Sequence, residues 1–135
     1  MRAAAILAIV LSSLACAGIV SSSDPKKVPE GDWGGQHVRL SVTAGGAAVE
    51  FDCAHGTLDE PLLLDEQGRF RVKGRYTRER GGPVRKGEEE DTRPASYSGS
   101  SDGRTLTLSL TPEGAETLGP FELERGRPAR LVKCL

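Results

Sequence analysis

In "VEFDCAHGTL" (Val49 to Leu58), Asp52, Cys53 and His55 fall within four positions. These residue types could hold a metal ion, form a Cys–His nucleophile pair, or anchor a disulfide. A structural zinc site takes four nitrogen or sulfur donors at recurring short spacings. The only other histidine is His37, and the spacing fits no ligand pattern, so no metal or other cofactor is expected. A Cys–His nucleophile needs a third group to orient the base. None is evident here, and no residue is assigned a catalytic role.

The cysteine count favours the disulfide. The chain opens "MRAAAILAIVLSSLACAG": one basic residue, an apolar run from Ala3 to Leu11, then small residues. That layout predicts a secretory signal over residues 1–17, too short for a stable membrane span. Two processing sites fit. Ala15-Cys16-Ala17 reads as an A-x-A cleavage site, and Cys16 is also a candidate for lipid attachment, although Leu14 stands one place too close for a lipobox. Either way Cys16 leaves with the leader or carries lipid, and Cys53 and Cys134 remain. In an exported chain that pair predicts one disulfide, worth roughly 4 kcal/mol in the chain-entropy account. The expected location is the periplasm, cell envelope or exterior. Residues 18–30 read as a flexible tether.

From Gln36 on, the sequence of the 31–135 domain reads mostly with period two, the pattern of half-buried strands. "HVRLSVT" and "AAVEFDC" flank Gly45-Gly46, a turn that sets Val42 opposite Val49, Leu40 opposite Phe51, Val38 opposite Cys53 and Arg39 opposite Asp52. "EPLLLD", "RFRVKGRYT", "ASYSGS", "RTLTLSLT", "GPFELERG" and "ARLVKCL" follow as further strands. The expected fold is a single all-β domain, a small antiparallel β-barrel of about eight strands, lipocalin-like or sandwich-like. Phe51, Phe70, Tyr76, Phe121 and many leucines face inward, so the interior should be filled by side chains. Residues 78–94 are almost wholly charged, Gly and Pro, and read as a long loop.

The most unusual surface feature is a row of cations, Arg69, Arg71, Lys73 and Arg75, on one strand face. Such a row could contact an anionic glycan, a phosphate or a protein partner. The first expectation is plainer: a solvated face cross-paired with acids such as Glu50, Glu122 and Glu124. Nucleic acid is not an expected partner, because the net charge is −1 and no aromatics lie among the cations. A membrane is expected only through a lipid on Cys16, and the chain is read as a monomer.

"GDWGG", with Gly31-x-Trp33 before the first strand, resembles the opening of lipocalin-type barrels. There a Trp plugs the closed end and a C-terminal Arg packs on it; Arg125 or Arg127 could take that place. Trp33 and His55 are the candidate pocket residues. Taken together, "WGGQHVRLSV", "VEFDCAHGTL", "GRFRVKGRY", "GGPV" and "LVKCL" resemble a family of small exported bacterial β proteins with no established activity. That resemblance implies an exported β domain and no reaction. The functional expectation is a non-enzymatic binding or envelope-associated module whose partner is a protein or small ligand. An inhibitor of an exported protease or hydrolase is the alternative, and a small-ligand carrier or an enzyme with a pocket near His55 is the third.

Overall fold

The computed structural model describes residues 26–80 and 91–134. Signal, Cys16 and most of the tether fall outside them. Every regular element described is a strand: β1 (Lys26–Lys27), β2 (Gly31–Gly35), β3 (Val38–Thr43), β4 (Gly46–Phe51), β5 (Ala54–Leu58), β6 (Leu63–Leu64), β7 (Arg69–Arg78), β8 (Asp91–Ser101), β9 (Thr105–Pro112) and β10 (Leu118–Arg125). Eight of them close an antiparallel barrel in the order β10-β2-β3-β4-β5-β7-β8-β9, while β1 and β6 pair separately. Closure leaves the barrel without an edge strand.

The period-two residues fill the interior, as an eight-stranded barrel of this width allows. Trp33, Val38, Leu40, Leu108 and Tyr97 are wholly buried. Val49, Phe70, Val72, Leu106, Leu110 and Leu123 complete the packing around them. Phe121 and Tyr76 are half-buried, and both lie beside Phe51 with ring centroids 5.1 and 6.2 Å away. One end is closed by the segment before β2. Val28 donates its amide to Leu62, both side chains are buried, and Trp33 Nε1 donates to the Pro29 carbonyl at 3.1 Å. The last residues of the stretch read as a tether therefore belong to the fold. Arg125 is the cross-strand neighbour of Trp33, but its side chain is exposed.

Tight strand curvature needs positions without side chains. A Cβ on Gly56 would collide with the Tyr97 hydroxyl and the Arg75 carbonyl, and one on Gly74 with the Thr57 carbonyl. Glycine lets β5 and β7 approach each other this closely.

Three details differ from the sequence reading. The β3–β4 hairpin turns at Ala44-Gly45, so Val38 opposes Phe51, Leu40 opposes Val49 and Arg39 opposes Glu50. Every partner is displaced by two residues, and because side chains alternate, such a shift keeps each on its own face. The strand membership also changes: "GDWGG" and "AHGTL" enter the barrel, whereas the C-terminal "LVKCL" does not. Val132 is exposed instead of inward. Finally, β8 begins at Asp91, so residues 91–94 are strand rather than loop, and residues 81–90 lie outside the described residues.

Candidate functional site

The Asp52–Cys53–His55 cluster straddles a corner, with His55 the second residue of β5. Asp52 and Cys53 are the two-residue turn between β4 and β5, where Phe51 opposes Ala54. Cys53 is joined to Cys134, with Cα atoms 5.2 Å apart. Beyond Arg125 the chain runs along the outside of β2, where a side chain on Gly34 would strike the Arg127 carbonyl. Arg130 then bridges to Gln36, exchanging backbone hydrogen bonds with Gly35 and His37. Asp52 fastens the end of this tail. Its Oδ1 accepts the Val132 amide at 2.9 Å, and its Oδ2 lies 2.6 Å from His37 Nδ1. The expected Asp52–Arg39 pair is thereby corrected: Arg39 meets Glu50, and Asp52 meets His37.

His55 faces outward beside Glu79, with Nδ1 3.4 Å from Oε1. The other Glu79 oxygen takes Lys133 Nζ at 2.9 Å, and the same ammonium donates to the Phe51 carbonyl. Partial burial alone would raise the Glu79 carboxyl, but the Lys133 ammonium and His55 outweigh it and hold the group below its ordinary range. Both histidines thus have carboxylate partners that hold the tail or the strand ends. Among the described residues no group of three His, Cys, Asp or Glu side chains gathers closely enough to hold a metal ion. The Cys53 sulfur is engaged in its disulfide, which removes it as a thiolate nucleophile.

Trp33 and His55 do not share a pocket, since Trp33 is inside the core and His55 is on the outer face. The barrel mouth opposite the Trp33 end holds a cavity of about 290 Å³, lined by Tyr76, Arg78, Asp91, Arg93 and Leu118 among others. Arg93 reaches the Glu113 carbonyl at 3.2 Å and the Asp91 carboxylate at 3.4 Å. Arg78 thus lines the mouth and does not continue the outer cation row. Two cations and two acids, Asp91 and Glu116, balance there.

The outer face of β7–β8–β9 is different. Arg69, Arg71, Lys73 and Arg75 are all exposed, and their cross-strand neighbours are Ser100, Ser98, Ser96 and Pro94. One strand further on, the three serines oppose Thr107, Ser109 and Thr111. The expected acid partners stand elsewhere: Glu50 opposes Arg39, Glu122 opposes Thr107, and Glu124 opposes Thr105. Among the described residues, no ion pair involves any of the four cations. Ser96, Ser98, Ser100, Thr107 and Ser109 likewise make no side-chain hydrogen bond there. Asp59 stands across from Lys73, its amide donating to the Lys73 carbonyl at 2.9 Å, and the acid at one end of the row is Asp65. Hydrogen bonds from the Arg69 amide, and then from Gln67, hold its carboxyl below the usual range despite a smaller opposing effect of desolvation.

Beside that end lies an open groove of about 680 Å³, bordered by Leu63, Gln67, Arg69, Arg71, Ser98 and Ser100 among others. The cations were legible in the sequence; the hydroxyls beside them were not. Serines in "ASYSGS" mark a solvent face, but only the β7–β8 register sets them against the arginines.

No family model, curated protein or solved structure matches this chain.

Proposed function

We propose that this chain is an exported binding module that holds an anionic partner on the outer face of β7–β8–β9. One observation carries the reading: four exposed cations in a row make no ion pair among the described residues, and on β8 three of them face serines instead of acids. Neighbouring cations two residues apart stand about 6.7 Å apart along a strand. At that spacing each pair repels by about 0.6 kcal/mol in water. A face built this way gains by taking up an anion, and the flanking hydroxyls can donate to the same ligand.

The disulfide is compatible with export, because such bonds persist in oxidising compartments. A leader over residues 1–17, and a lipid on Cys16 where that processing route is taken, would deliver the module to the envelope or beyond. The filled interior argues for recognition on the surface rather than carriage inside the barrel. Binding alone, without a reaction, is the activity this reading assigns.

Retention on anionic and neutral supports tests it. The net charge is −1, so retention on an anionic support cannot come from overall charge and requires a local cationic face. The wild-type protein should be retained and released by salt. The variant Arg71→Glu/Lys73→Glu should pass through, with its thermal midpoint little changed because both positions are exposed. Equal retention of wild type and variant would remove the cation row from the binding surface.

A further inference from the structure

We infer that the ligand of this face is a linear polysaccharide carrying regularly repeated anionic groups, an inference that rests on the anion-binding reading above. Three observations select this class. The first is the shape of the charge. Four cations along one strand form a line about 20 Å long. A single phosphate or carboxylate is best held by groups that converge on it, whereas a line of separate cations fits charges repeated along a chain.

The second observation is the hydroxyl field. Ser96, Ser98 and Ser100 stand next to the cations, and Thr107, Ser109 and Thr111 stand next to the serines. The Thr111 hydroxyl is engaged with Thr117 at 2.7 Å, but the other five make no side-chain hydrogen bond among the described residues. Hydroxyls both donate and accept, so they match the ring and exocyclic hydroxyls of a sugar chain. A polyanion that offers only acceptors can use them only as donors.

The third is what the face lacks. The outward positions of β7, β8 and β9 named above hold no aromatic side chain. Single-stranded nucleic acid is gripped by base stacking on aromatics as well as by charge. Stable protein interfaces centre on buried aromatic or aliphatic anchors, and lipid surfaces are entered by apolar side chains beside the basic ones. Among the described residues, the exposed large apolar side chains are Leu63, Leu118 and Val132. Of these only Leu63 borders the face, at the rim of its groove. A hydrophilic polyanion suits the whole surface.

The test uses the exported chain with its disulfide intact. The probes are polygalacturonate fragments of graded length, polyacrylate, neutral dextran, a single-stranded oligonucleotide and vesicles of phosphatidylglycerol. Polygalacturonate and polyacrylate both carry carboxylates, but only the first carries hydroxyls. Affinity for polygalacturonate should rise with fragment length and level off once the fragment spans about 20 Å. Dextran should not bind. The variant Ser96→Ala/Ser98→Ala/Ser100→Ala, which keeps every charge, should bind polygalacturonate about tenfold more weakly and lose less affinity for polyacrylate, which can use the hydroxyls only as donors. A serine variant that binds both polymers like the wild type overturns the polysaccharide assignment and leaves the anion-binding reading standing. Failure of every polyanion to bind overturns both. Binding to the oligonucleotide or to vesicles, without binding to polygalacturonate, replaces the sugar polymer with that ligand.

Discussion

Asp52 and Val132 are separated by 80 residues in the chain and joined by one hydrogen bond of 2.9 Å, donated by the Val132 amide. The second oxygen of the same carboxylate lies against His37. A residue in a two-residue turn thus holds both the tail and the β2–β3 corner. Asp52→Ala should lower stability by about 1–2 kcal/mol and release the tail locally. Denaturant unfolding measures the first effect, and amide exchange at Val132 measures the second. Unchanged exchange at Val132 would show that the carboxylate does not hold it.

The disulfide should stabilise the barrel without defining it. Cys134 belongs to no strand, and barrel closure is completed by β10. For a bridge with a sequence separation of 81, the chain-entropy account gives about 4 kcal/mol. Cys53→Ser/Cys134→Ser should therefore melt earlier yet keep the β signature in circular dichroism. Loss of that signature at low temperature would mean that the tail is needed for closure.

Acid should loosen the same corner. The Glu79 carboxyl is held below its ordinary value of 4.5 in the folded chain. A depressed carboxyl contributes its stability above the unfolded value and loses it as pH falls through the folded one. The Glu79 contribution should be complete above about pH 5 and decline progressively below it. Because the pair is partly exposed, its worth is about 0.5–1 kcal/mol. Thermal midpoints measured against pH for wild type and Glu79→Gln should differ at neutral pH and converge in acid. Parallel curves would contradict the assignment.

Tyr97 is wholly buried, and its hydroxyl donates to the Arg75 carbonyl at 2.7 Å. Burial pushes the phenol well above its ordinary value, so it stays protonated as a donor. Tyr97→Phe should cost about 1 kcal/mol in denaturant unfolding. Gly56→Ala should cost more, about 2–3 kcal/mol, because its methyl collides with that hydroxyl and with backbone at once. If the alanine were the milder change, β5 and β7 would be separating more easily than their close approach implies.

How much of this was legible varies by residue. Val38, Leu40 and Val42 alternate with polar neighbours, and a period of two assigns their face without any knowledge of partners. The same period hides the register: a shift of two residues exchanges Val49 for Phe51 opposite Leu40 and leaves the pattern intact. "GDWGG" looks like a turn because glycine is poor in strands, yet β10 on one side and β3 on the other fix it as β2. "LVKCL" looks like a strand, but the barrel is already closed and the tail is held outside it by Asp52, Cys53 and Glu79.

By itself the sequence determined the all-β class, the inward and outward faces of strands such as β3 and β7, the disulfide pair and the row of cations. Alternation and cysteine count are local or countable, and they survive any rearrangement of neighbours. Tertiary structure decided what stands beside what: His37 rather than Arg39 against Asp52, and serines rather than glutamates against Arg69, Arg71 and Lys73. Those choices depend on strand order and on register between segments distant in the chain. Whether a cation is neutralised or left open to a ligand is set there, by the strand that happens to lie next to it.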